Sequence, residues 1–392
     1  MGSREYTEVH VLFIKELFYQ STDWEVITNK FNKKFGTDKT AIALQNALRR
    51  DGDMFELESE EVYVDRLRDL RRTKRTSAQV QRENNKILDY LSMRDEVIEA
   101  VNNAVSNIKV SKVKPKVIKK STTHNMTMEL LLSDLHYGKL TSTFNAKVSR
   151  ERMQQLTAVF IREYKDQSRM FNVGRIIVAL LGDIIESYTM HGLESAASCE
   201  MGNSEQIVLA ITSIFEDVIA PLAALGVTID VPCVTGNHDR TERDKTFNDV
   251  GKSNVTWIIY NTLKALSEAH GYKNVNFQIA EKNYLLFDIY HNKCLYEHGD
   301  LCKSTNKSVI ESHLAARTKQ LGSVIDFMRL GHWHEVTMYE QGRIIINGSL
   351  PGQDSYADVK GYNSQAFQVI NYYIKTEERP NCFYKSFPVY LG

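Results

Sequence analysis

Four short apolar runs in this chain lead straight into clusters of Gly, Asp, Asn and His. The runs are residues 128–132, 176–181, 227–234 and 325–330. Behind them stand Asp134-Leu135-His136, Gly182-Asp183, Gly236-Asn237-His238-Asp239 and Gly331-His332-Trp333-His334, and a fifth cluster is His298-Gly299-Asp300. Apolar runs of this length, closed by turn-forming residues, read as buried strands. Helical patterns at about 149–171, 204–225 and 255–270 separate or follow them, and further strands are expected at 284–290 and 293–296. A hairpin is expected at 336–339 and 343–346, turning at Gln341-Gly342. Strands alternating with helices and then becoming strand-rich predict an α/β core. The five clusters would then sit in loops or at strand ends, where each supplies one or two oxygen or imidazole ligands. One Gly-Asp carries little information, whereas five such clusters in order carry a great deal.

The rest of the chain is organised differently. Residues 7–18, 24–35 and about 40–50 read as three helices, with Asp23 as N-cap and Gly36 as terminator of the second. The third offers Gln45, Asn46, Arg49 and Arg50 on its polar side, the layout of a helix-turn-helix unit (1–55) whose last helix enters a DNA groove. A small helical interaction or dimerisation module has the same pattern. Residues 56–108 read as a long helical segment with a basic start that includes Arg71 and Arg72. That run is either a solvated helix face or a phosphate-backbone contact. Residues 109–124 form a Lys-rich linker, and 125–392 the α/β domain. Residues 353–392 look strand-rich and either close a sheet or form an interface.

Composition sets bounds. The chain has 392 residues, 42% hydrophobic and 25% charged, with formal net charge zero. Residues 1–125 hold 23 Lys and Arg against 19 Asp and Glu, and the remainder 26 against 30, a modest split. Five cysteines without a C-x-x-C spacing argue against a disulfide framework or zinc ribbon and for a reducing, cytoplasmic setting. No signal-peptide pattern opens the sequence. No apolar run approaches about 18 residues, so no membrane span is expected.

The clusters suit phosphate-ester hydrolysis. That reaction needs a water turned into hydroxide, a neutralised phosphoryl group and a protonated leaving oxygen. Two divalent ions about 4 Å apart serve the first two needs. Mixed imidazole and oxygen donors fit Mn, Fe or Zn better than Ca or Mg. On a strand the side chains at i and i+2 point to one side, so Asp134 and His136 can reach one ion, and so can His332 and His334.

These motifs resemble the calcineurin-like metallophosphoesterase superfamily, in pieces spread over about residues 128–350. The resemblance implies a core of two mixed β-sheets flanked by helices. It also implies two metals, Mn foremost, with Fe or Zn as alternatives. Asp134, His136 and His334 would hold the first, Asn237, His298 and His332 the second, and Asp183 would bridge them. His238 would lie beside the phosphoryl group and donate a proton to the leaving oxygen. Glu186, Asp239, Arg240 and Asp300 are candidates for support or substrate contact. Glu186 would otherwise face solvent, and Arg240 would otherwise pair with Glu242 or Asp244.

The departures narrow the substrate. Family protein phosphatases carry Gly-Asp-x-x-Asp-Arg-Gly, whereas here Gly182-Asp183 leads to Glu186-Ser187-Tyr188. The phosphate-gripping Arg of that stretch is missing. Ser133-Asp134-Leu135-His136-Tyr137-Gly138 and Gly236-Asn237-His238-Asp239 are more similar to SbcD-type DNA repair nucleases. The layout also resembles phage-encoded metallophosphoesterases, which would place the protein in a host cytoplasm. The expectation is a Mn-dependent phosphodiesterase acting on DNA. One alternative is a phosphodiesterase or phosphatase for a small nucleotide-type substrate, with residues 186–205 as a lid and the N-terminal helices used to build a homo-oligomer. Another is a DNA-binding or scaffold protein with a dormant core. SbcD-type enzymes work with a separate ATPase. This chain has no Walker A loop, because Thr246 stands where Gly251-Lys252-Ser253 would need the first Gly.

Overall fold

The computed structural model describes residues 6–51 except 22, residue 81, 99–103, 106, 108, 124–187, 198–241, 251–352, 365–375 and 381–392. The chain divides into two compact units, Met1–Leu88 and Asp89–Gly392.

The described part of the first unit is three helices, α1 (Glu8–Gln20), α2 (Trp24–Phe35) and α3 (Ala41–Asp51). Asp23 caps α2 by accepting from the backbone N–H of Glu25 at 2.9 Å, and Gly36 ends it in the left-handed conformation. Asn32 fixes the α2–α3 corner, bonding both Lys39 N–H and Lys39 C=O at 2.8 Å. The helices close on Val11, Ile14, Ile27, Phe31, Leu44 and Ala47. That packing leaves Asn46 and Arg49 on the exposed side of α3, with Gln45 half-buried. The Arg50 side chain, Arg71, Arg72 and the linker lie outside the described residues. Val101 and Ile108 are buried in the core of the second unit.

That unit is built on two sheets. Its strands are β1 (Asn125–Leu132), β2 (Asn172–Leu180), β3 (Thr228–Cys233), β4 (Val275–Ile279), β5 (Tyr284–Ile289), β6 (Asn292–Glu297), β7 (Phe327–Leu330), β8 (Thr337–Tyr339), β9 (Ile344–Ile346), β10 (Phe367–Lys375) and β11 (Phe383–Tyr390). Their orders are β11-β10-β1-β2-β3-β4 and β5-β6-β7-β9-β8. Strands β1 to β4 run parallel, as do β6, β7 and β9, while β10, β11, β5 and β8 pair antiparallel. Both sheets are therefore mixed.

Alternation along the strands explains the layering. Leu130, Leu132, Ile176, Val178 and Leu180 point to the outer face of the six-stranded sheet. There they meet helices α4 (Ala146–Gln167), α5 (203–223) and α6 (Val255–Ala269). Leu131, Ile177, Ala179 and Leu181 point the other way, against Cys294, Tyr296, Phe327 and Ile345 of the second sheet. The outer face of that sheet, with Leu295, Met328, Leu330 and Ile344, is covered by helix α7 (Lys307–Leu321). Because both faces of each sheet are covered, the strands read as unbroken apolar runs rather than alternating ones.

Three elements differ from the sequence reading. Strand β4 was not expected, since Val275–Ile279 alternates apolar and polar as a sheet edge does. Helix α7 was not expected either, because it buries only Ile310 and Leu314 and its periodicity is weak. Residues 203–223 form one continuous helix with a π-turn at Ile214–Ile219, and it is long and apolar enough to cross a membrane. It instead lies 72% buried in the fold, so its apolar surface is occupied by the core. The open question about the C-terminal region also resolves. Strand β10 pairs with β1, from Asn125↔Lys375 to Leu131↔Val369, and β11 adds the sheet edge.

A charged pair is enclosed between the sheets. Glu129 of β1 and Arg329 of β7 are both fully buried, with Arg329 Nε 3.3 Å from Glu129 Oε2. The carboxylate also accepts from Asn371 Nδ2 at 2.7 Å, Tyr373 Oη at 2.6 Å, and the Tyr296 hydroxyl. Arg329 donates onward to the Met328 and Arg343 carbonyls at 2.9 and 3.1 Å. Four strands from two sheets thus share one polar network, in which Asn371 Oδ1 alone is left without a partner among the described residues.

Candidate metal centre

The C-terminal ends of β1, β2, β3, β6 and β7 all open toward one place, where ligands gather in α/β sheets. Each strand stops and its loop turns sharply. Asp134, His136, Asp183, His332 and His334 all have φ between +46° and +72°. Such left-handed backbone at non-Gly residues costs on the order of 1–3 kcal/mol each and persists only where the surroundings enforce it. Glycine makes the crowding tolerable. A Cβ on Gly236 would lie 2.1 Å from Asp183 Oδ1, and one on Gly331 would lie 2.5 Å from Asp134 Oδ2.

Among the described residues three groups of side chains could hold a metal, and one of them, His136 with Glu186 and His238, shares His136 with the first of the two described next. In the first, Asp134, His136 and His334 converge, with His334 Nε2 3.2 Å from Asp134 Oδ1 and 3.1 Å from His136 Nε2. In the second, Asp183, His298 and His332 converge, and His298 Nε2 lies 3.0 Å from Asp183 Oδ2. Asn237 joins the second group through its Oδ1, 3.2 Å from His298 Nε2. His332 and His334 fall in different groups, not on one side as the two-residue repeat of a strand alone would put them. The reason is the left-handed backbone at each, which breaks the two-residue repeat of a strand. Asp134 and His136 do share a group, although their loop is likewise not a strand.

The donor chemistry fits cations. His298 Nδ1 is 2.8 Å from the Leu181 carbonyl, which fixes the proton on Nδ1 and turns Nε2 inward. Nε2 there faces two oxygen acceptors, Asp183 Oδ2 and Asn237 Oδ1, so something positive must lie among them. Without a metal that something is a proton. Burial opposes it, but the Asp183 charge and hydrogen bond prevail and raise His298 to about 10. Burial likewise works to raise Asp134, yet His334 and His298 outweigh it and hold the carboxyl at about 2. Asp183 is held well below its usual range, its burial overcome by His298 and His238. Burial keeps His136 and His332 neutral, each near 4, in the form that ligates.

The neighbours divide into support and chemistry. Glu186 is buried and does not face solvent. Its Oε2 is 2.8 Å from His136 Nδ1, off the ring N–H axis, and 3.5 Å from Lys139 Nζ. Its backbone carbonyl is 2.7 Å from His238 Nδ1, which turns that ring's Nε2 to the other side. Burial pushes His238 down, but Asp183 and Glu186 together hold it above its usual value. Asp239 is fully buried and makes no approach to the outside. It accepts from the N–H groups of Gly236 and Asp183 at 2.8 Å and Ile184 at 2.9 Å, tying the β2 and β3 loops together. Burial and the Asp183 charge raise its carboxyl to about 6. Arg240 pairs with Asp300 at 2.8 Å. Glu242, Asp244 and residues 188–197 of the expected lid lie outside the described residues.

Sequence reasoning overlooked what stands behind His136. Tyr137 is buried and donates to Ser213 Oγ at 2.8 Å, which donates to Asp217 at 2.8 Å. Asp217 lies in the π-turn of α5 and is gripped by Arg150. The tyrosine beside a ligand was the available signal. Of the other histidines, His313 is satisfied by Glu297 at 2.7 Å and His270 stacks on Tyr272.

No family model matches the chain, and no curated protein matches it. Solved structures do show likeness. An archaeal phosphodiesterase is similar over 67% of this chain and 99% of its own, at 13% identity and TM-score 0.32. The phosphoesterase Yfce from E. coli is similar over 68% and 100%, at 13% and 0.31. Vps29 from Entamoeba histolytica, solved with zinc, is similar over 68% and 99%, at 13% and 0.26. At that level the likeness assigns no role to any residue of this chain.

Proposed function

We propose that this protein is a phosphodiesterase using two divalent metals, and that its substrate is DNA. One observation carries the reading. Two ligand groups, Asp134–His136–His334 and Asp183–His298–His332, adjoin at the ends of parallel strands, with His238 beside them. Bound there, two ions would activate a water and neutralise a phosphoryl group. Asp183 would stand between the groups, since its Oδ2 meets His298 and its charge reaches His136. The Asn237 amide adds an oxygen without adding charge, which keeps the centre hospitable to an anionic ester. His238 would hold a proton on Nε2 for the leaving oxygen, because Asp183 and Glu186 favour its charged form. Its backbone N–H, bonded to Asp183 Oδ1 at 2.8 Å, fixes the ring's place relative to that carboxylate. Mn is the proposed metal, with Fe or Zn as alternatives, on the mixed nitrogen and oxygen donor set.

The choice of DNA rests on the first unit, whose α3 presents Asn46 and Arg49 away from its core. The test is hydrolysis of end-labelled single- and double-stranded DNA by the Mn-loaded chain, with Asp183→Asn alongside. Cleavage lost in the variant supports the reading. Cleavage of a small phosphodiester but of neither DNA would move the substrate to a nucleotide-sized molecule. Equal behaviour of both proteins on every ester would refute the metal mechanism.

A further inference from the structure

We infer that Arg240 grips the substrate: its guanidinium, tethered on one edge by Asp300, takes a non-bridging oxygen of the phosphodiester. The inference rests on the phosphodiesterase reading above. Arg240 lies two residues past His238 and Asp300 two past His298, so the pair joins the loop behind β3 to the loop behind β6. It therefore spans from one sheet to the other at the centre. Asp300 lines the same small cleft as His298, which puts the pair beside the second ligand group. The side chains are 19% and 13% exposed, so the pair is largely enclosed yet reachable.

The way the guanidinium is used points to a ligand. Nη2 donates to Asp300 Oδ2 at 2.8 Å, and among the described residues Asp300 is its partner in full. Structural guanidinium groups in this fold vary in how fully they are used, and Arg152 bonds the Leu350 and Pro351 carbonyls through Nη1 alone. Arg150 engages Asp217 and Glu216 through Nε and Nη2, and Arg329 commits all three nitrogens. Among the described residues Arg240 Nε and Nη1 have no partner, and a guanidinium carries five N–H donors in a fork that fits two phosphate oxygens. The other cation close by, Lys139, is directed to Glu186 at 3.5 Å. The Arg that family phosphatases carry after Gly-Asp-x-x-Asp is absent here, where residues 186–188 read Glu-Ser-Tyr. Arg240 reaches the same phosphoryl group from the opposite loop. Asp300 already holds one end of the side chain, so little rotamer freedom is lost on binding.

The experiment compares wild type, Arg240→Ala, Arg240→Lys and Asp300→Asn as full-length, Mn-loaded protein. Calorimetry reads binding of inorganic phosphate and, separately, of Mn, and steady-state kinetics reads bis(p-nitrophenyl) phosphate. For Arg240→Ala the expected result is roughly a ten- to hundredfold loss of phosphate affinity and a matching rise in KM, as for one charge-assisted hydrogen bond. Mn affinity, kcat and Tm should move little, and Arg240→Lys should fall between. Unchanged phosphate affinity in Arg240→Ala would overturn the inference. So would loss of Mn affinity and Tm in step with phosphate, in Arg240→Ala and Asp300→Asn alike, because that marks a clamp between loops. Phosphate binding needs no turnover. A wild type that binds phosphate through Arg240 but hydrolyses no ester would refute the phosphodiesterase reading and leave the grip intact. A wild type that binds no phosphate would refute the grip.

Discussion

Replacing Glu129 by Gln should destabilise the second unit by about 3–5 kcal/mol, the usual cost of leaving one member of a buried pair without its partner. The geometry separates charge from shape. Oε2 receives Arg329 Nε, Asn371 Nδ2 and Tyr373 Oη, while Oε1 receives the Tyr296 hydroxyl. A Gln carbonyl can take the crowded Oε2 position, and its NH2 can face Tyr296, whose hydroxyl rotates to accept. Hydrogen bonds survive the change, so what remains is an uncompensated guanidinium in a fully buried site. Arg329→Met in the Gln background removes that charge and should recover most of the loss. The coupling between the two changes should therefore be large and favourable. The assay is guanidinium denaturation in EDTA, with Trp24→Phe in every variant so that Trp257 and Trp333, both in the second unit, report. A Glu129→Gln cost below about 1 kcal/mol, or a double variant no better than the single, would refute the argument that charge, not shape, dominates.

Two further outcomes follow from the centre. Gly331→Ala should cost roughly ten- to hundredfold in Mn affinity, because the new Cβ must displace Asp134 Oδ2 from 2.5 Å. Calorimetric Mn binding equal to wild type would disprove the crowding. Metal-free protein should lose stability as pH falls from about 6.5 toward 4. Burial holds His136 near 4, whereas an unfolded histidine titrates near 6.5, so in that window the unfolded chain binds more protons. That difference is worth about 3 kcal/mol for His136 alone, and Tm in EDTA at pH 4.5 and 7 measures it. A Tm that is flat or rises on acidification would contradict the sign.

The centre was legible because its chemistry demands residue types that the strands do not. A His or Asp directly after an apolar run stands out, and glycines beside it mark where backbones press together. Much of the core was legible for a similar reason, since strands covered on both faces have no polar alternation to blur them. What escaped the reading is set by partners far off in the chain. Arg329 sits inside a four-residue strand and shows no sign that Glu129, 200 residues earlier, neutralises it. The edge strand β4 is only five residues long, and the thinly buried α7 lacks a strong period. The split of His332 from His334 came only from the resemblance, because spacing alone does not encode the backbone conformation behind it.

The pairing of β10 with β1 has a consequence for how the protein is made. Asp134 leaves β1, and the loop that carries it is held by Gln368, which accepts from Ser133 N–H at 3.1 Å and donates to the Ser133 carbonyl at 3.1 Å. Every proposed metal ligand has been synthesised once His334 has, and Gln368 follows only later in the chain. The nascent chain therefore carries a full set of ligands for a time without the strand that seats the first of them. Seating of the Asp134 loop therefore depends on residues 367–375, the last part of the sheet to be synthesised next to β1.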